Sequence, residues 1–541
     1  MNARRRFIAL VIALAGFRCA THLRAEDERP WTARVESVVG AKGFRDGQWG
    51  LLVVDQSSGA VVFERNPDEM FCPASVTKLF TCASALNDFG ANYRFITPVV
   101  RTGAIAKSGK LDGNLILVAS GDLCLGGRTG ADGRLLFTDH DHIYADGNYE
   151  STLVAADPLA GLDHLARETA ASGIKEVGGD VLIDDRLFPT SNSTGSGPSR
   201  VTPIMVNDNL VDLVITPGEK VGEPAAIKLV PSTSFVTMDP QIETVAEGKT
   251  PSVEIRAEGS RRFSVRGKIP LGHKPIVKYY EIEEPASFAR ALFIEALRKR
   301  GVRVSAAPIG GNDAMKLPSK AETAKLSKVA EYTSPPFKEY IRVILKVSHN
   351  LHASTLPLLV ASKHGESTLE QGLKREGAFL KSVGVDIDSI SFGGGAGGSR
   401  ADLVTPRAAV ALLRAMAKRA DFASYADALP VLGHDGTLSK SVPSDSPARG
   451  HVRAKTGTYY VDDALNGKGV LTSKALAGYI ETASGKTLVF AFFLNNVPLG
   501  SPEGDGRGSP AEAGRALGKL AEIFYLEKDD VPKADAAATG R

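Results

Sequence analysis

A serine and a lysine lie one helical turn apart in the stretch Pro73-Ala74-Ser75-Val76-Thr77-Lys78. Residues three apart on an α-helix share a face, so the amine of Lys78 can reach the hydroxyl of Ser75. Apolar residues recur after Ser75 with helical spacing, and Gly90 can end the helix. The positive end of a helix dipole favours charge on the serine oxygen, and burial or a second cation would lower the pKa of the lysine. The sequence therefore predicts a nucleophile with a base beside it.

A second motif, Ser348-His349-Asn350, lies beside helical sequence. A second hydroxyl near a serine and lysine pair can relay a proton to a leaving amine, and the amide of Asn350 can both donate to and accept from a peptide group. His349 is interpreted as facing solvent, with a titrating ring that tunes Ser348 as the alternative. Alone, each of these two motifs carries little weight, because such residue pairs are common.

A third motif, Lys455-Thr456-Gly457-Thr458, lies on a predicted strand. A lysine charge and two threonine hydroxyls suit a carboxylate, and Gly457, which lacks Cβ, would let a substrate backbone lie against the strand edge. Three such motifs in this order are much less easily explained by chance than any one of them. Together they indicate an acyl-transfer site built around Ser75.

This set of motifs resembles that of penicillin-binding proteins and class A β-lactamases. Ser348 follows Ser75 by 273 positions. This interval is similar to that of the D-alanyl-D-alanine carboxypeptidases/endopeptidases of the class C low-molecular-mass penicillin-binding proteins, which carry extra domains there. The resemblance extends from about residue 50 to 495. Further matching stretches are Gly121-Asp122, residues 181–188, Val404-Thr405-Pro406, residues 433–438 and residues 475–479.

The resemblance implies a role for each motif residue. These residues are Ser75 as the acylated nucleophile, Lys78 as its base, Ser348 as proton donor to the departing D-alanine, Asn350 as the group that holds the peptide, and Lys455, Thr456 and Thr458 as the groups that bind the terminal carboxylate. It also implies an oxyanion hole made by the backbone N–H groups of Ser75 and Thr458, and hydrolysis of the acyl-enzyme by water without a metal or organic cofactor. The implied partners are peptidoglycan stem peptides and β-lactam antibiotics.

The glycine-rich stretch Gly394-Gly395-Ala396-Gly397-Gly398-Ser399 departs from the family pattern, which is Asp-Gly-Ser-Gly-Leu-Ser. A loop with so few side chains predicts a looser structure or a shape suited to another peptide. A wall-binding or scaffolding protein that turns over poorly is therefore one alternative, and a β-lactamase or esterase on the same fold is another. No acylation by penicillin would favour the first alternative, and rapid deacylation would favour the second.

With 541 residues the chain is too long for one ordinary core, so two or three domains are expected. Residues 1–25 combine arginines, an apolar run and small residues, which is the layout of a secretory signal peptide and predicts export to the periplasm; retention as an anchor is the alternative. We predict a catalytic domain split between 26–96 and 330–526, an inserted module of two parts at 97–329, and a flexible tail at 527–541. By resemblance, the catalytic domain is of the α/β (α+β) class, with an antiparallel sheet, helices on both faces, and strand-rich inserted domains.

Hydrophobic periodicity predicts the elements that hold the motifs. Residues 50–64 are predicted as a hairpin that leads to the Ser75 helix, and the third motif lies on an antiparallel meander at 450–459, 475–482 and 487–494. The other predicted helices are 159–171, 287–300, 337–362, 369–383, 406–419 and 510–526, and predicted strands of the insertion are 211–215, 226–230, 253–257 and 263–265. The lysine-rich stretch 308–330 is interpreted as a linker that returns to the catalytic domain.

The formal net charge is +3, and removal of the five arginines within residues 1–25 leaves −2. A nearly neutral mature protein argues against nucleic-acid binding. The cysteines, at positions 19, 72, 82 and 124, form no CxxC or Cys/His ligand pattern, so no metal site is predicted and one disulfide is allowed. The sequence leaves membrane association and oligomeric state open.

Overall fold

The computed structural model describes residues 30–500 and 508–527. The predicted signal peptide and the predicted tail beyond residue 527 lie outside the described residues. The described α-helices are α1 (Trp31–Val39), α2 (Thr77–Phe89), α3 (Ala160–Ala171), α4 (Pro285–Lys299), α5 (Lys320–Thr323), α6 (Phe337–Val347), α7 (Asn350–Lys363), α8 (Leu369–Ser382), α9 (Pro406–Met416), α10 (Phe422–Ala428) and α11 (Pro510–Tyr525).

The described strands, numbered in chain order, are β1 (Gln48–Asp55), β2 (Val61–Arg65), β3 (Ile96–Arg101), β4 (Lys110–Leu111), β5 (Leu115–Val118), β6 (Glu176–Val177), β7 (Val181–Asp184), β8 (Ser191–Asn192), β9 (Arg200–Val201), β10 (Leu210–Thr216), β11 (Ala226–Val230), β12 (Thr237–Val245), β13 (Ser252–Gly259), β14 (Arg262–Pro270), β15 (Ile276–Glu281), β16 (Arg303–Val304), β17 (Ser327–Thr333), β18 (Ile390–Ser391), β19 (Leu403–Val404), β20 (Val452–Asp463), β21 (Lys468–Glu481) and β22 (Thr487–Pro498). Within residues 30–500 and 508–527, no helix has the length and apolar character needed to cross a membrane.

A five-stranded antiparallel sheet in the order β2-β1-β22-β21-β20 forms the centre of the predicted catalytic domain. Side chains alternate between the two faces of a strand. On β22, Phe490 and Phe492 belong to the hydrophobic core under α1 and α11, whereas Ala491 and Phe493 face the core that contains α9. Helices therefore cover both faces of the sheet, and burial on both faces explains why β22 is an almost continuous apolar run.

The helix that follows Ser75, α2, is buried among α6, α7 and α8. The prediction of one helical stretch over 337–362 is wrong at its middle, because α6 ends at Val347 and α7 begins at Asn350. Between them Ser348 has a left-handed backbone conformation, with φ of +64°. Few non-glycine residues adopt this conformation, and the apolar periodicity on either side gives no sign of it. The second motif thus lies at a bend between two helices.

Within residues 97–329, the predicted inserted module that is called the inserted region below, a separate hydrophobic core forms where α3 and α4 pack against several small sheets. The predicted return linker is wrong in its last part, because β17 pairs antiparallel with β3 in the sheet β17-β3-β5-β7. β17 is an edge strand with one buried residue, Ala330, so its polar sequence lacks the alternation expected of a half-buried strand. β12, another edge strand, is not predicted either, because it contains Pro240, which sheets accept only at edges or bulges.

Candidate active site

Ser75 lies in a short 3-10 helix, Ala74–Val76, directly before α2, rather than in the first turn of the α-helix itself. Strand β20 packs against this turn, and a Cβ atom on Gly457 would lie only 2.4 Å from the carbonyl oxygen of Pro73. The missing side chain of Gly457 therefore lets the strand approach the nucleophile turn. The predicted reason for this glycine, space for a substrate backbone, stays a prediction.

Lys78 is fully buried beside Ser75. Its Nζ atom lies 2.9 Å from Ser75 Oγ and donates to Asn350 Oδ1 and to the carbonyl oxygen of Ala396, each at 2.6 Å. Burial lowers the pKa of Lys78 to about 7. A neutral amine has two N–H donors, and these two oxygens use both, so the lone pair is directed to the hydroxyl of Ser75. The arrangement can remove a proton from Ser75.

Lys455 is also fully buried, and it contacts the second motif. Its Nζ atom donates to Ser348 Oγ at 2.9 Å and to the carbonyl oxygen of Thr456 at 2.8 Å. Burial, with Lys78 nearby, holds the pKa of Lys455 well below its usual value. The amine of Lys455 is therefore hydrogen-bonded to the hydroxyl of Ser348 and is not exposed to solvent.

Two residues of the inserted region hold the bend between α6 and α7. The hydroxyl of Tyr144 donates to the carbonyl oxygen of Ser348 at 2.6 Å, and Asn350 Nδ2 donates to the carbonyl oxygen of Ser196 at 2.9 Å. Asn350 thus uses its amide oxygen for Lys78 and its amide nitrogen for the insertion. The insertion is part of the wall of the site.

The glycine-rich loop at 393–398 is packed closely against the nucleophile turn, so the predicted looser loop is not observed. A Cβ atom on Gly397, whose φ is +86°, would lie 1.9 Å from the carbonyl oxygen of Ala74. The carboxylate of Asp402 accepts the N–H groups of Gly393 and Ser399, both at 2.8 Å. Burial raises the pKa of Asp402 to about 6, although these two hydrogen bonds oppose the shift. The loop is thereby fixed with the Ala396 carbonyl against Lys78.

These groups open onto a cleft of about 740 Å³ between the inserted region and β20. Ser75, Ser348 and Asn350 line it from the catalytic side. The third motif contributes Thr456 and Thr458. All three predicted motifs therefore meet at one cleft, although Lys455 and Gly457 lie behind its wall.

His349 is buried, so the prediction that it faces solvent is wrong. Its ring stacks on that of His352, with centroids 3.5 Å apart and planes 10° from parallel. The Nε2 atoms of His352 and His349 lie 2.6 Å and 3.3 Å from Asp208 Oδ1. Burial lowers the pKa of His349 to about 3, so this ring stays neutral near pH 7 and does not titrate there as the alternative required. His349 directly precedes the first residue of α7, and its Nδ1 atom accepts a hydrogen bond from the backbone N–H of His352 at 3.3 Å, which holds the two rings together.

Asp208, His349 and His352 bring three potential metal ligands within 4.8 Å of one another, where the sequence predicted no metal site. The lone pairs of the stacked rings lie in two nearly parallel planes, whereas zinc ligation requires them to converge on one point about 2.0–2.1 Å away. Asp208 Oδ2 also accepts hydrogen bonds from Arg128 at 2.9 Å and from His142 at 3.0 Å. The cluster is best described as a hydrogen-bond network that joins α7 to the inserted region.

Comparison with known proteins places the chain in a family. The family described as "D-Ala-D-Ala carboxypeptidase 3 (S13)" matches residues 32–512. The chain belongs to this family. Its catalytic class is therefore that of the serine-type D-Ala-D-Ala carboxypeptidases, and the predicted family is confirmed.

Two relatives and one solved structure that resemble this chain are distant from it in sequence. The chain is 29% identical to a D-alanyl-D-alanine carboxypeptidase of Actinomadura sp. (strain R39), over 77% of this chain and 74% of that protein. It is 23% identical to the D-alanyl-D-alanine carboxypeptidase DacB of Haemophilus influenzae, over 85% and 88% of the two chains. The crystal structure of penicillin binding protein 4 from Haemophilus influenzae shares the fold, with a TM-score of 0.67 at 20% identity, and the match covers 91% of this chain and 99% of that one. The predicted fold class is confirmed.

The three predicted motifs do not include two residues that the structure places at the cleft, Tyr144 and Lys474. Tyr144 comes from the inserted region, and its approach to Ser348 depends on tertiary packing that no local pattern reveals. Lys474 lies on β21, where its Cα is paired with that of Thr458 across the β20–β21 ladder. The sequence does contain a signal for Lys474. If the third motif and the next predicted strand are paired as a hairpin, the register places Lys474 opposite Thr458.

Proposed function

We propose that this chain hydrolyses peptidoglycan stem peptides after their penultimate D-alanine, through an acyl-enzyme on Ser75. The observation that carries this proposal is the contact of 2.9 Å between Ser75 Oγ and a buried lysine amine whose pKa is lowered to about 7. The names of the relatives support D-Ala-D-Ala as the substrate. Release of the terminal D-alanine and cleavage of a cross-link use the same acyl-transfer chemistry.

In the acylation step, Ser75 Oγ attacks the carbonyl carbon of the penultimate D-alanine while neutral Lys78 takes the proton from the hydroxyl. The negative charge that develops on the carbonyl oxygen is stabilised by the backbone N–H groups of Ser75 and Thr458, a role assigned by family resemblance. Loss of one such donor typically slows an acyl-transfer enzyme by about 10² to 10³.

The carbon–nitrogen bond breaks as the departing amine receives a proton. We assign this transfer to Ser348, which lines the cleft and whose hydroxyl is held by Lys455 Nζ at 2.9 Å. Ser348 gives its hydroxyl proton to the amine and regains the proton that Lys78 took from Ser75, so that Ser348 and Lys78 both return to their starting forms. Asn350 orients Lys78 through its amide oxygen, and it holds the peptide if its amide nitrogen leaves the Ser196 carbonyl. Water then cleaves the ester on Ser75, so the reaction as written uses no metal or organic cofactor.

The hydroxyls of Thr456 and Thr458 are proposed to bind the terminal carboxylate, since both line the cleft beside Ser75. A β-lactam presents a strained amide and a carboxylate in a similar arrangement, so it should acylate the same serine. The arginines and apolar run of residues 1–25 support export to the periplasm, where peptidoglycan is found.

The test is intact-mass labelling of the mature protein with benzylpenicillin, beside a Ser75→Ala variant. We expect one stoichiometric adduct that the variant lacks, together with release of D-alanine from a disaccharide pentapeptide and of monomer from a cross-linked dimer. No adduct and no cleavage would contradict the proposal and favour a wall-binding protein. Rapid loss of the adduct without peptide cleavage would favour a β-lactamase.

A further inference from the structure

The carboxylate end of the cleft needs a positive charge that Lys455 does not supply. The amine of Lys455 is fully buried and committed to Ser348 Oγ and the Thr456 carbonyl. The third motif otherwise offers an anion two neutral hydroxyls, those of Thr456 and Thr458, and the Thr456 hydroxyl lies 2.7 Å from Thr437 Oγ1. Charge-assisted hydrogen bonds are about twice as strong as neutral ones, so a cation at this place would matter for recognition.

Lys474 is in the right place to provide this charge. It lines the same cleft as Thr456 and Thr458, and its Nζ atom donates to Thr458 Oγ1 at 2.8 Å. The hydroxyl of Thr458 therefore lies directly beside an ammonium group. An anion bound by the threonines would be within reach of that group.

The helix above the sheet is shaped to accommodate this side chain. A Cβ atom on Gly514 of α11 would lie 3.2 Å from Lys474 Cε and 3.4 Å from its Nζ, which is closer than most real contacts of a Cβ atom. The glycine thus leaves a passage along which the lysine reaches the cleft. Within the part of the chain that the structure describes, no carboxylate forms an ion pair with Lys474.

We propose that Lys474 supplies the positive charge that binds the C-terminal carboxylate of the substrate, together with the hydroxyls of Thr456 and Thr458. Lys455 then holds the hydroxyl of Ser348 and does not bind the carboxylate. This inference rests on the proposed function and makes it more specific, because it requires a free carboxylate on the group that leaves. Burial lowers the pKa of Lys474 to about 8, so the amine remains largely charged at pH 7 when it meets an anion.

The experiment compares acylation of Ser75 by benzylpenicillin and by its methyl ester, which lacks the negative charge. Both second-order rate constants are measured for the unaltered protein and for the variants Lys474→Met, Lys474→Arg and Lys418→Met. We expect Lys474→Met to slow acylation by the acid about 10- to 100-fold and acylation by the ester less than about threefold. Lys474→Arg keeps the charge and should retain most of the preference for the acid. Lys418, an exposed lysine after α9, is the matched control and should change neither rate.

An equal loss of both rates in Lys474→Met would overturn the proposal, because it would show a structural role. No loss of either rate would also overturn it.

A second measurement does not depend on catalysis. In the Ser75→Ala background, the affinity for diacetyl-L-Lys-D-Ala-D-Ala is compared with that for its C-terminal amide, with and without Lys474→Met. A preference for the acid that disappears with Lys474→Met supports the proposal; a preference that persists, or no preference at all, overturns it. If the unaltered protein is not acylated, the proposed function fails, and this comparison still decides the role of Lys474.

Discussion

At the scale of single residues, Lys78 acts as a base because its surroundings fix both its charge and its direction. The surrounding core lowers its pKa to about 7, and two oxygens occupy its N–H donors. One of these oxygens comes from the second motif and the other from the glycine-rich loop. The reactivity of Ser75 therefore depends on residues far apart in sequence, although the serine and lysine themselves are three residues apart.

We expect acylation of Ser75 by benzylpenicillin to speed up as the pH rises through 7. The reactive form of Lys78 is the neutral one, and with a pKa of about 7 its population grows about tenfold between pH 6 and pH 8. The measurement is the second-order acylation rate against pH. Because the charge of Asp402 raises the pKa of Lys78, an Asp402→Asn variant should move the rising limb to lower pH without removing it. A flat profile, or a limb that disappears with Asp402→Asn, would contradict this assignment.

At the scale of elements, the loop at 393–398 positions the base because its glycines allow backbone to touch backbone. Gly397 approaches the carbonyl oxygen of Ala74, and a Cβ atom on Gly395 would lie 2.3 Å from the carbonyl oxygen of Ala353 in α7. The loop is thus wedged between the nucleophile turn and the helix of the second motif. A side chain at position 397 would have to displace the nucleophile turn, and one at position 395 would have to displace α7.

A Gly397→Ala variant should lose acylation by about 100-fold or more while remaining folded. The new Cβ atom would meet the Ala74 carbonyl at 1.9 Å, in a left-handed conformation that alanine rarely adopts, so the turn that holds Ser75 must shift. Gly377→Ala is the matched control, because Gly377 lies inside α8 with open space around its missing Cβ. That change should leave acylation intact and raise stability by about 0.5–1 kcal/mol. Normal acylation in Gly397→Ala would show that the loop does not position the turn.

The elements also show where sequence reasoning succeeds and where it fails. The meander of β20, β21 and β22 could be predicted because burial imposes an alternating or continuous apolar pattern on its strands. The edge strands β12 and β17, which are only partly buried, carry no such pattern. The break at Ser348 and the burial of His349 could not be predicted, because each is set by contacts with the inserted region. The motif residues could be found by type and spacing, but Lys474 required the register of a hairpin.

At the scale of the whole molecule, the insertion is joined to the active site by a buried charged network. Asp208 accepts hydrogen bonds from Arg128 and His142 within the insertion and from His352 on α7. Burial alone would raise the pKa of Asp208, but Arg128 and the histidines hold it well below its usual value. His142, between Asp208 and Asp212, has its pKa raised to about 10 despite its burial. The carboxylate of Asp208 is therefore charged near pH 7 and holds its partners from both parts of the chain.

An Asp208→Asn variant should both destabilise the protein and slow acylation. Asp141 still pairs with the buried guanidinium of Arg128, at 2.7 and 2.8 Å, so the variant leaves no unpaired charge. It loses charged hydrogen bonds to Arg128, His142 and His352, which typically costs about 1.5–3 kcal/mol. The free energy of unfolding in urea measures this loss. Glu254→Gln, which breaks an exposed ion pair with Arg256, is the control and should leave the unfolding midpoint unchanged.

The difference in stability between Asp208→Asn and the unaltered protein should shrink on acidification. The lowered pKa of Asp208 stabilises the fold above the pKa of an unfolded aspartate, about 4, and this contribution is lost as the pH falls. Because His349 directly follows Ser348 and stacks on His352, which Asp208 holds, the acylation rate of the folded variant should fall as well. A variant that is destabilised yet acylates at the normal rate would show that the network holds the insertion in place without positioning Ser348.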